Sequence, residues 1–187
     1  LPEARNTKNS AVIHRVLMTA LEFLILLCIY APCFFMAGSA LAAYFSSSAN
    51  LAWTFLNTSS ILALTATAVF WIVKICIDQL PLDTSALDSR WDALGTWMAL
   101  LVQLLSTIIG SFSAKHLEEE AHQKYYIVLF SSIIAAVHGL LITNHWLIFV
   151  TVWSFINWLL KKMLCFYANR PFALLATYKK KFTDHLA

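Results

Sequence analysis

The sequence predicts an all-α membrane protein, built as a bundle of helices that cross the bilayer several times. Of its 187 residues, 60% are apolar and 12% are charged, whereas soluble domains average about 45–50% apolar and about a quarter charged. The mean hydropathy is +0.70, and apolar runs of membrane-spanning length recur along the chain. This composition excludes a disordered tail, a coiled coil, a nucleic-acid-binding domain and a disulfide-stapled secreted module.

Charged residues divide the chain into three parts: a polar, basic N-terminal segment (1–15), a helical transmembrane domain (16–162) and a basic C-terminal tail (163–187). Lysine and arginine are enriched on the cytoplasmic side of membrane proteins, so we expect both termini to lie in the cytoplasm. The tail contains Arg170 and the run Lys179, Lys180 and Lys181. Such a tail serves as an orientation signal and can also touch anionic lipid.

Three apolar runs precede the most polar part of the chain. The first, 16–45, exceeds the ~20 residues that span a bilayer, so it is either tilted or continues as a helix outside the membrane. The second, 51–73, stops at Lys74, and a connector rich in aspartate follows at the membrane surface. The third, 93–114, leads into the charged stretch 115–124, which predicts a short hairpin or a helical extension into water.

The last apolar run covers 125–160, which is too long for one perpendicular crossing. Thr143-Asn144-His145 interrupts it. The Trp-rich piece after the interruption has three interpretations: an interfacial helix, a bent continuation of the preceding helix, or a fifth span. Four spans put both basic ends on one side and five put them on opposite sides, so the charge rule favours four.

Two ionisable side chains, Glu22 and His138, lie within apolar runs. Such groups are costly in a bilayer and mark functional sites by default. Counting residues from the flanking charges puts the two at equal depth in the four-span arrangement. We therefore expect a Glu22–His138 hydrogen bond or ion pair, since each would relieve the desolvation of the other. Together with Gln103 and Asn157, they are candidates for an ion or proton path; the alternative is an interhelical contact that only holds the bundle together.

Thr151, Ser154 and Asn157 recur at steps of three, which places them on one face of a helix. In a pore this polar face would line the symmetry axis, and in a subunit it would face a different chain. Pairs of small residues spaced four apart also recur, and such pairs let helix backbones approach closely. They are Gly38/Ala42, Ser39/Ala43, Gly95/Ala99, Ser106/Gly110, Ser131/Ala135 and Ala135/Gly139.

The four cysteines form no C-x-x-C pair, so the sequence supports neither a metal site nor a disulfide framework. Cys76 and Cys165 follow lysines at predicted membrane edges, where S-acylation occurs, and they are the candidate acylation sites. Nucleotide-binding loops and the common hydrolase motifs are absent from the sequence. We expect no metal, no cofactor, no nucleotide and no nucleic-acid partner.

These observations favour a non-catalytic integral membrane subunit or scaffold of a larger complex. The first alternative is a homo-oligomeric channel or carrier with Glu22 and His138 on its permeation or proton path. The second is a lipid-handling membrane enzyme that uses His138, His145 or the aspartate-rich connector after Lys74. The expected partners are the lipid bilayer and either other membrane chains or further copies of this one.

Overall fold

The computed structural model describes residues 2–78, 93–118, 120 and 122–167, and all of its regular structure in these ranges is helical. Five helices follow in order: α1 (Pro2–Phe45), α2 (Ala49–Asp78), α3 (Ala93–His116), α4 (Gln123–Ile142) and α5 (Trp146–Leu164). A short 3₁₀ turn, Cys165–Tyr167, follows α5. Each of the five helices contains a stretch that is long and apolar enough to cross a membrane.

The first helix is much longer than a bilayer is thick. Its 44 residues correspond to about 66 Å at 1.5 Å per residue, against a hydrocarbon core of about 30 Å. Its apolar stretch is Phe23–Phe45. The helix is continuous from Pro2 to Phe45, which is consistent with the sequence-based alternative of a helix that continues beyond the membrane. The helix runs on through Pro32, whose side chain is buried.

Helices α1, α2 and α4 pack against one another and form the centre of the bundle. Helix α3 lies against α2 and also contacts α4, while the main packing partner of α5 within the described residues is α4. Consecutive helices are antiparallel. For α2 and α3 this follows from two pairs, because Ser60 meets Thr107 near the middle and Trp71 meets Trp97 towards the other end.

The Trp-rich segment folds back along α4. The chain reverses at Thr143, whose hydroxyl donates to the Gly139 carbonyl oxygen at 2.8 Å. At the other end of the hairpin the rings of Tyr126 and Phe166 lie 5.7 Å apart, and Leu159 packs against Leu129 in between. Helix α5 is thus an antiparallel neighbour of α4, which excludes the bent-continuation interpretation.

Helix α3 has the polarity of a helix that faces lipid. Its buried face is made of polar or small residues at steps of three and four, whereas its exposed face is made of large apolar ones. The buried residues are Thr96, Ala99, Gln103, Ser106, Gly110 and Ser113; the exposed ones include Leu94, Trp97, Leu101, Leu105, Ile108 and Phe112. A helix in water has the opposite arrangement, so this pattern supports a membrane environment independently of overall composition.

Tryptophans mark two levels along α2. Trp53 and Trp71 are eighteen residues apart, which is about 27 Å along a helix and close to the hydrocarbon thickness. Trp71 contacts Trp97 of α3 in an edge-to-face arrangement with ring centroids 4.9 Å apart. Trp53 donates from Nε1 to Oε1 of Gln123, at 2.9 Å, at the start of α4. This spacing is that of two interfacial aromatic belts.

The antiparallel order gives the bundle two ends, the tail end and the linker end. The tail end contains the turn 46–48, the connection between α3 and α4, and Cys165–Tyr167 at the end of α5. The linker end contains the end of α2, the start of α3 and the turn 143–145. At the tail end Lys124 donates from Nζ to the carbonyl oxygens of Ser46 and Ser47, both at 2.9 Å, and so ties the two connections together.

Some of the small residues lie buried between helices, whereas others face outward. Ser39, Ala43, Ser106, Ser131 and Ala135 are all buried between helices. A Cβ atom built on Gly110 would meet side-chain atoms of Leu56 and Phe130, each at 3.7 Å, whereas a Cβ atom on Gly38 or Gly139 would meet nothing described within 4 Å. The bundle therefore uses the Ser106/Gly110 and Ser131/Ala135 pairs for its own packing and leaves Gly38 facing outward.

Candidate functional site: a buried polar junction of four helices

The most polar part of the core lies where α1, α2, α3 and α4 meet around Gln103. This side chain is fully buried, and its Oε1 lies 2.9 Å from Nε2 of His138 on α4. Its Nε2 lies 3.1 Å from the Ser60 carbonyl oxygen and 3.2 Å from the Ser60 hydroxyl on α2. The same nitrogen is 4.0 Å from the sulfur of Met36 on α1. We call Gln103, His138, Ser60 and Thr107 the polar junction.

The carbonyl oxygen of Ser60 fixes the orientation of the Gln103 amide. A carbonyl oxygen only accepts hydrogen bonds, so the group that faces it must be the NH₂ of Gln103. The amide oxygen then faces His138, and it too only accepts. It follows that His138 carries a hydrogen on Nε2 and donates it to Gln103.

The remaining hydrogen bonds have defined directions as well. The Thr107 hydroxyl donates to the backbone carbonyl oxygen of Gln103 at 2.9 Å. Because its single hydrogen is used there, the hydrogen between the Thr107 and Ser60 hydroxyls, 2.8 Å apart, comes from Ser60. The chain thus runs from His138 to Gln103, on to Ser60 and Thr107, and back to the backbone of Gln103.

The side chains of the polar junction are buried, so losing one of their hydrogen bonds costs free energy. Gln103 is 0% exposed, and His138 and Ser60 are each 3% exposed. A buried polar group that loses its partner costs about 1–3 kcal/mol, although interhelical hydrogen bonds inside membrane proteins contribute only about 0.6 kcal/mol on average. The junction therefore fixes the register of the helices more than it adds to total stability.

The structure brings together two of the residues that the sequence singled out, His138 and Gln103, but as partners of each other. Glu22 lies on α1, and its side chain is outside the part of the chain whose side chains are described. The Glu22–His138 pair therefore stays a prediction. The partner that the structure gives to His138 Nε2 is an amide oxygen rather than a carboxylate.

Two buried hydroxyls near the junction have no hydrogen-bond partner among the described residues. Ser106 lies one turn beyond Gln103 on α3, and Ser131 lies about two turns before His138 on α4. Both oxygens are sealed from solvent. An unpaired buried hydroxyl is unfavourable, so these two serines pack as small residues and gain nothing from their oxygens.

The polar face predicted on α5 is present, but its hydroxyls are internally satisfied. Thr151 and Ser154 are exposed, and they donate to the carbonyl oxygens of Leu147 and Val150 at 2.8 and 2.9 Å. Asn157 lies on the same side of the helix and is half-buried. A hydroxyl bonded to its own helix in this way needs no partner chain or water to be stable in lipid.

The four cysteines lie in different parts of the bundle. Cys76 and Cys165 are both exposed, Cys76 on α2 towards the linker end and Cys165 at the tail end. Their acylation stays a prediction. Cys28 and Cys33 are half-buried on α1, and the Cys33 sulfur lies 3.4 Å from the Ala135 carbonyl oxygen on α4. Among the described residues no group of three His, Cys, Asp or Glu is placed to hold a metal ion.

Sequence reasoning missed Thr107 as a member of the junction and did not single out Ser60 among the hydroxyls of α2. A signal for the buried face of α3 was available in its spacing, since Thr96, Gln103, Ser106 and Ser113 follow one another at steps of seven, three and seven residues. A polar face inside an apolar run predicts the buried side of a membrane helix.

Comparison of the chain with protein-family models, with curated proteins and with solved structures finds no match in any of the three.

Proposed function

We propose that this protein is a non-catalytic, multi-pass subunit or scaffold of a membrane complex. The observation that carries the proposal is the closed chain of hydrogen bonds in the polar junction. Each donor described there has an acceptor within the junction itself, and the last acceptor is the backbone carbonyl oxygen of Gln103. Such a chain holds helices in register.

The same chain is poorly suited to carrying protons. A relay needs groups that accept a proton on one side and release one on the other, as carboxylates and imidazoles do. Beyond His138 the chain consists of an amide, two hydroxyls and a backbone carbonyl oxygen. The hydroxyls of Thr151 and Ser154 are likewise engaged with their own helix. These observations favour a structural role over the channel alternative.

A subunit also needs a surface for its partner, and the outer face of α1 is the best candidate. An apolar groove of about 600 Å³ lies along this face. Its lining includes Phe23, Leu27, Tyr30, Ala31, Phe34 and Phe35. One turn further on, Gly38 offers open space beside it. Alternating large and small side chains of this kind let a second transmembrane helix pack closely.

The test is native mass spectrometry of the protein extracted in mild detergent. We expect a single copy bound to larger, unrelated chains. Replacing Gly38 by Leu fills the open space on α1 and should reduce the fraction of protein in that complex by about tenfold or more, since close packing of helices depends on small residues at the contact. Gly139→Leu is the matched control, because no described atom lies within 4 Å of its Cβ position either, and it lies on α4.

Each outcome decides between the hypotheses. A closed ring of identical chains would favour the channel alternative and reject the subunit proposal. A complex that survives Gly38→Leu as well as it survives Gly139→Leu would reject α1 as its contact surface. A monomer with no partner in its native membrane would reject both the subunit and the channel.

A further inference from the structure

Exposed lysines are gathered at the tail end of the bundle. Lys115 lies at the end of α3, and Lys161 and Lys162 lie in the last turn of α5. All three side chains are exposed, and we call them the basic rim. The chain continues from this end after Tyr167, and the sequence that follows adds Arg170, Lys179, Lys180 and Lys181.

The linker end has a different charge balance. Lys74 is the lysine of α2 near this end. The sequence between α2 and α3, which lies outside the described residues, has Asp83, Asp88 and Asp92 against the single Arg90. Helix α1 extends beyond this end and has Arg5, Lys8 and Arg15 in its sequence. The sequence on the tail-end side also contains acidic residues, namely Glu118, Glu119, Glu120 and Asp184. Counted in the sequence, eight lysines and arginines against four acidic residues belong to the tail-end side, and five against six belong to the linker-end side.

The contact of Lys162 with Trp158 places one of these charges at the membrane surface. The Nζ atom lies 5.3 Å from the centre of the indole ring. Tryptophan favours the level of the lipid headgroups, and a lysine near a helix end extends its ammonium towards that level. The charge of Lys162 is thus held where phospholipid phosphates and carboxylates lie.

We propose that the tail end faces the cytoplasm and that the basic rim binds anionic phospholipid headgroups of that leaflet. Cytoplasmic leaflets carry the anionic lipids, and each lysine near such a surface adds attraction to them. The proposal takes all five helices as membrane crossings. Because five is odd, the N-terminal end of α1 lies on the opposite side, which replaces the sequence-based expectation that both termini are cytoplasmic.

The first experiment determines the orientation. One exposed cysteine at a time is introduced, Ser47→Cys in the tail-end turn or Asn144→Cys in the linker-end turn. The parent chain has Cys76→Ser and Cys165→Ser and keeps the half-buried Cys28 and Cys33, so its own labelling is the blank. Intact cells are treated with a membrane-impermeant maleimide before and after permeabilisation. We expect Asn144→Cys to react in intact cells and Ser47→Cys to react only after permeabilisation. The reverse pattern, or equal reaction of both in intact cells, would overturn the proposal.

The second experiment tests the lipid. The protein is reconstituted in vesicles of phosphatidylcholine and phosphatidylserine, re-extracted, and examined for retained phosphatidylserine by native mass spectrometry. Lys161→Gln combined with Lys162→Gln should lower its retention by on the order of tenfold, whereas Lys74→Gln at the linker end should not. Equal retention by all variants would reject the basic rim as the binding surface even where the orientation is as proposed. Both experiments are independent of whether the protein is a subunit.

Discussion

His138 of α4 donates a hydrogen bond from Nε2 to the amide oxygen of Gln103 on α3 at 2.9 Å, where four helices meet. The two residues are 35 positions apart and both are buried. Their contact links α4, through the Gln103 amide, to the backbone of α2. The stability of the bundle should therefore respond to changes on any of these three helices.

Removing the side-chain amide of Gln103 should weaken the contacts that α3 makes with both α2 and α4. Gln103→Leu leaves the Nε2–H of His138 without its acceptor and withdraws the donor from Ser60. We expect a loss of about 1–2 kcal/mol in unfolding free energy, measured by titration with a denaturing detergent. His138→Leu and the double variant complete a cycle. A coupling energy near zero would show that the hydrogen bond contributes nothing to stability.

The tautomer of His138 is a second consequence of the geometry. The Gln103 amide is oriented by the Ser60 carbonyl oxygen, so the imidazole hydrogen lies on Nε2. Nitrogen chemical shifts of His138, assigned by comparison with His138→Leu, should show a protonated Nε2 across neutral pH. A neutral ring protonated on Nδ1 alone would mean that the amide is flipped and that the junction is assembled differently.

Serine-to-alanine substitutions in the core should change the unfolding free energy differently, depending on whether the serine hydroxyl has a hydrogen-bond partner. Ser60→Ala removes a hydroxyl that bonds both Gln103 and Thr107, and we expect it to destabilise the protein by about 1 kcal/mol. Ser106→Ala and Ser131→Ala remove hydroxyls that have no partner among the described residues, so they should be neutral or stabilising. Detergent unfolding of the three variants makes the comparison. Equal losses in all three would imply that the two unpaired hydroxyls do find partners in the membrane.

The fold class could be predicted from the sequence because lipid constrains composition directly. Each crossing needs a long apolar run, and the polar interruption at 143–145 is where the chain turns. The position of the Trp-rich segment relative to the membrane was harder to predict. The length of its apolar run fits an interfacial helix as well as a helix that crosses the bilayer. The contact between α4 and α5, such as Leu129 with Leu159, shows that the segment lies alongside α4, and this contact depends on tertiary packing.

The site could be predicted only as a set of residues. His138 and Gln103 stand out as polar side chains in apolar runs, but their pairing depends on the register between α3 and α4. Depth counted from the nearest charges suggested Glu22 as a partner of His138, and that pair stays a prediction; such counting gives no information about which helices are neighbours, so it could not point to the contact with Gln103. Thr107 was missed because a threonine in a membrane helix is ordinary, and only its position beside Ser60 makes it part of the junction.

Lys124 should control the order of the tail end without controlling the fold of the core. Its ammonium bonds the carbonyl oxygens of Ser46 and Ser47, which follow the end of α1. Lys124→Met keeps the apolar stem and removes the charge. We expect faster amide hydrogen exchange around residues 46–50, by several-fold, with little change in the middle of α1. Lys115→Met, at the same end but exposed, is the control; equal effects of the two would indicate a general loss of charge.

Two glycines in different surroundings provide a direct test of the packing arrangement. Gly110 lies between Leu56 of α2 and Phe130 of α4, and side-chain atoms of both are 3.7 Å from the position that a Cβ atom would take. Alanine fits there at ordinary contact distance, so Gly110→Ala should be tolerated. Gly110→Leu must displace one or both neighbours, and overpacking of this kind costs about 1–3 kcal/mol.

At Gly139 no atom of the described residues lies within 4 Å of the Cβ position, so the same leucine there should leave the unfolding free energy within about 0.5 kcal/mol of the parent. Detergent unfolding compares the two variants, Gly110→Leu on α3 and Gly139→Leu on α4. They introduce the same side chain on two helices of the bundle. If Gly110→Leu were as stable as Gly139→Leu, α3 would not pack into the groove between α2 and α4. The polar junction, which depends on the same placement of α3, would then be wrong as well.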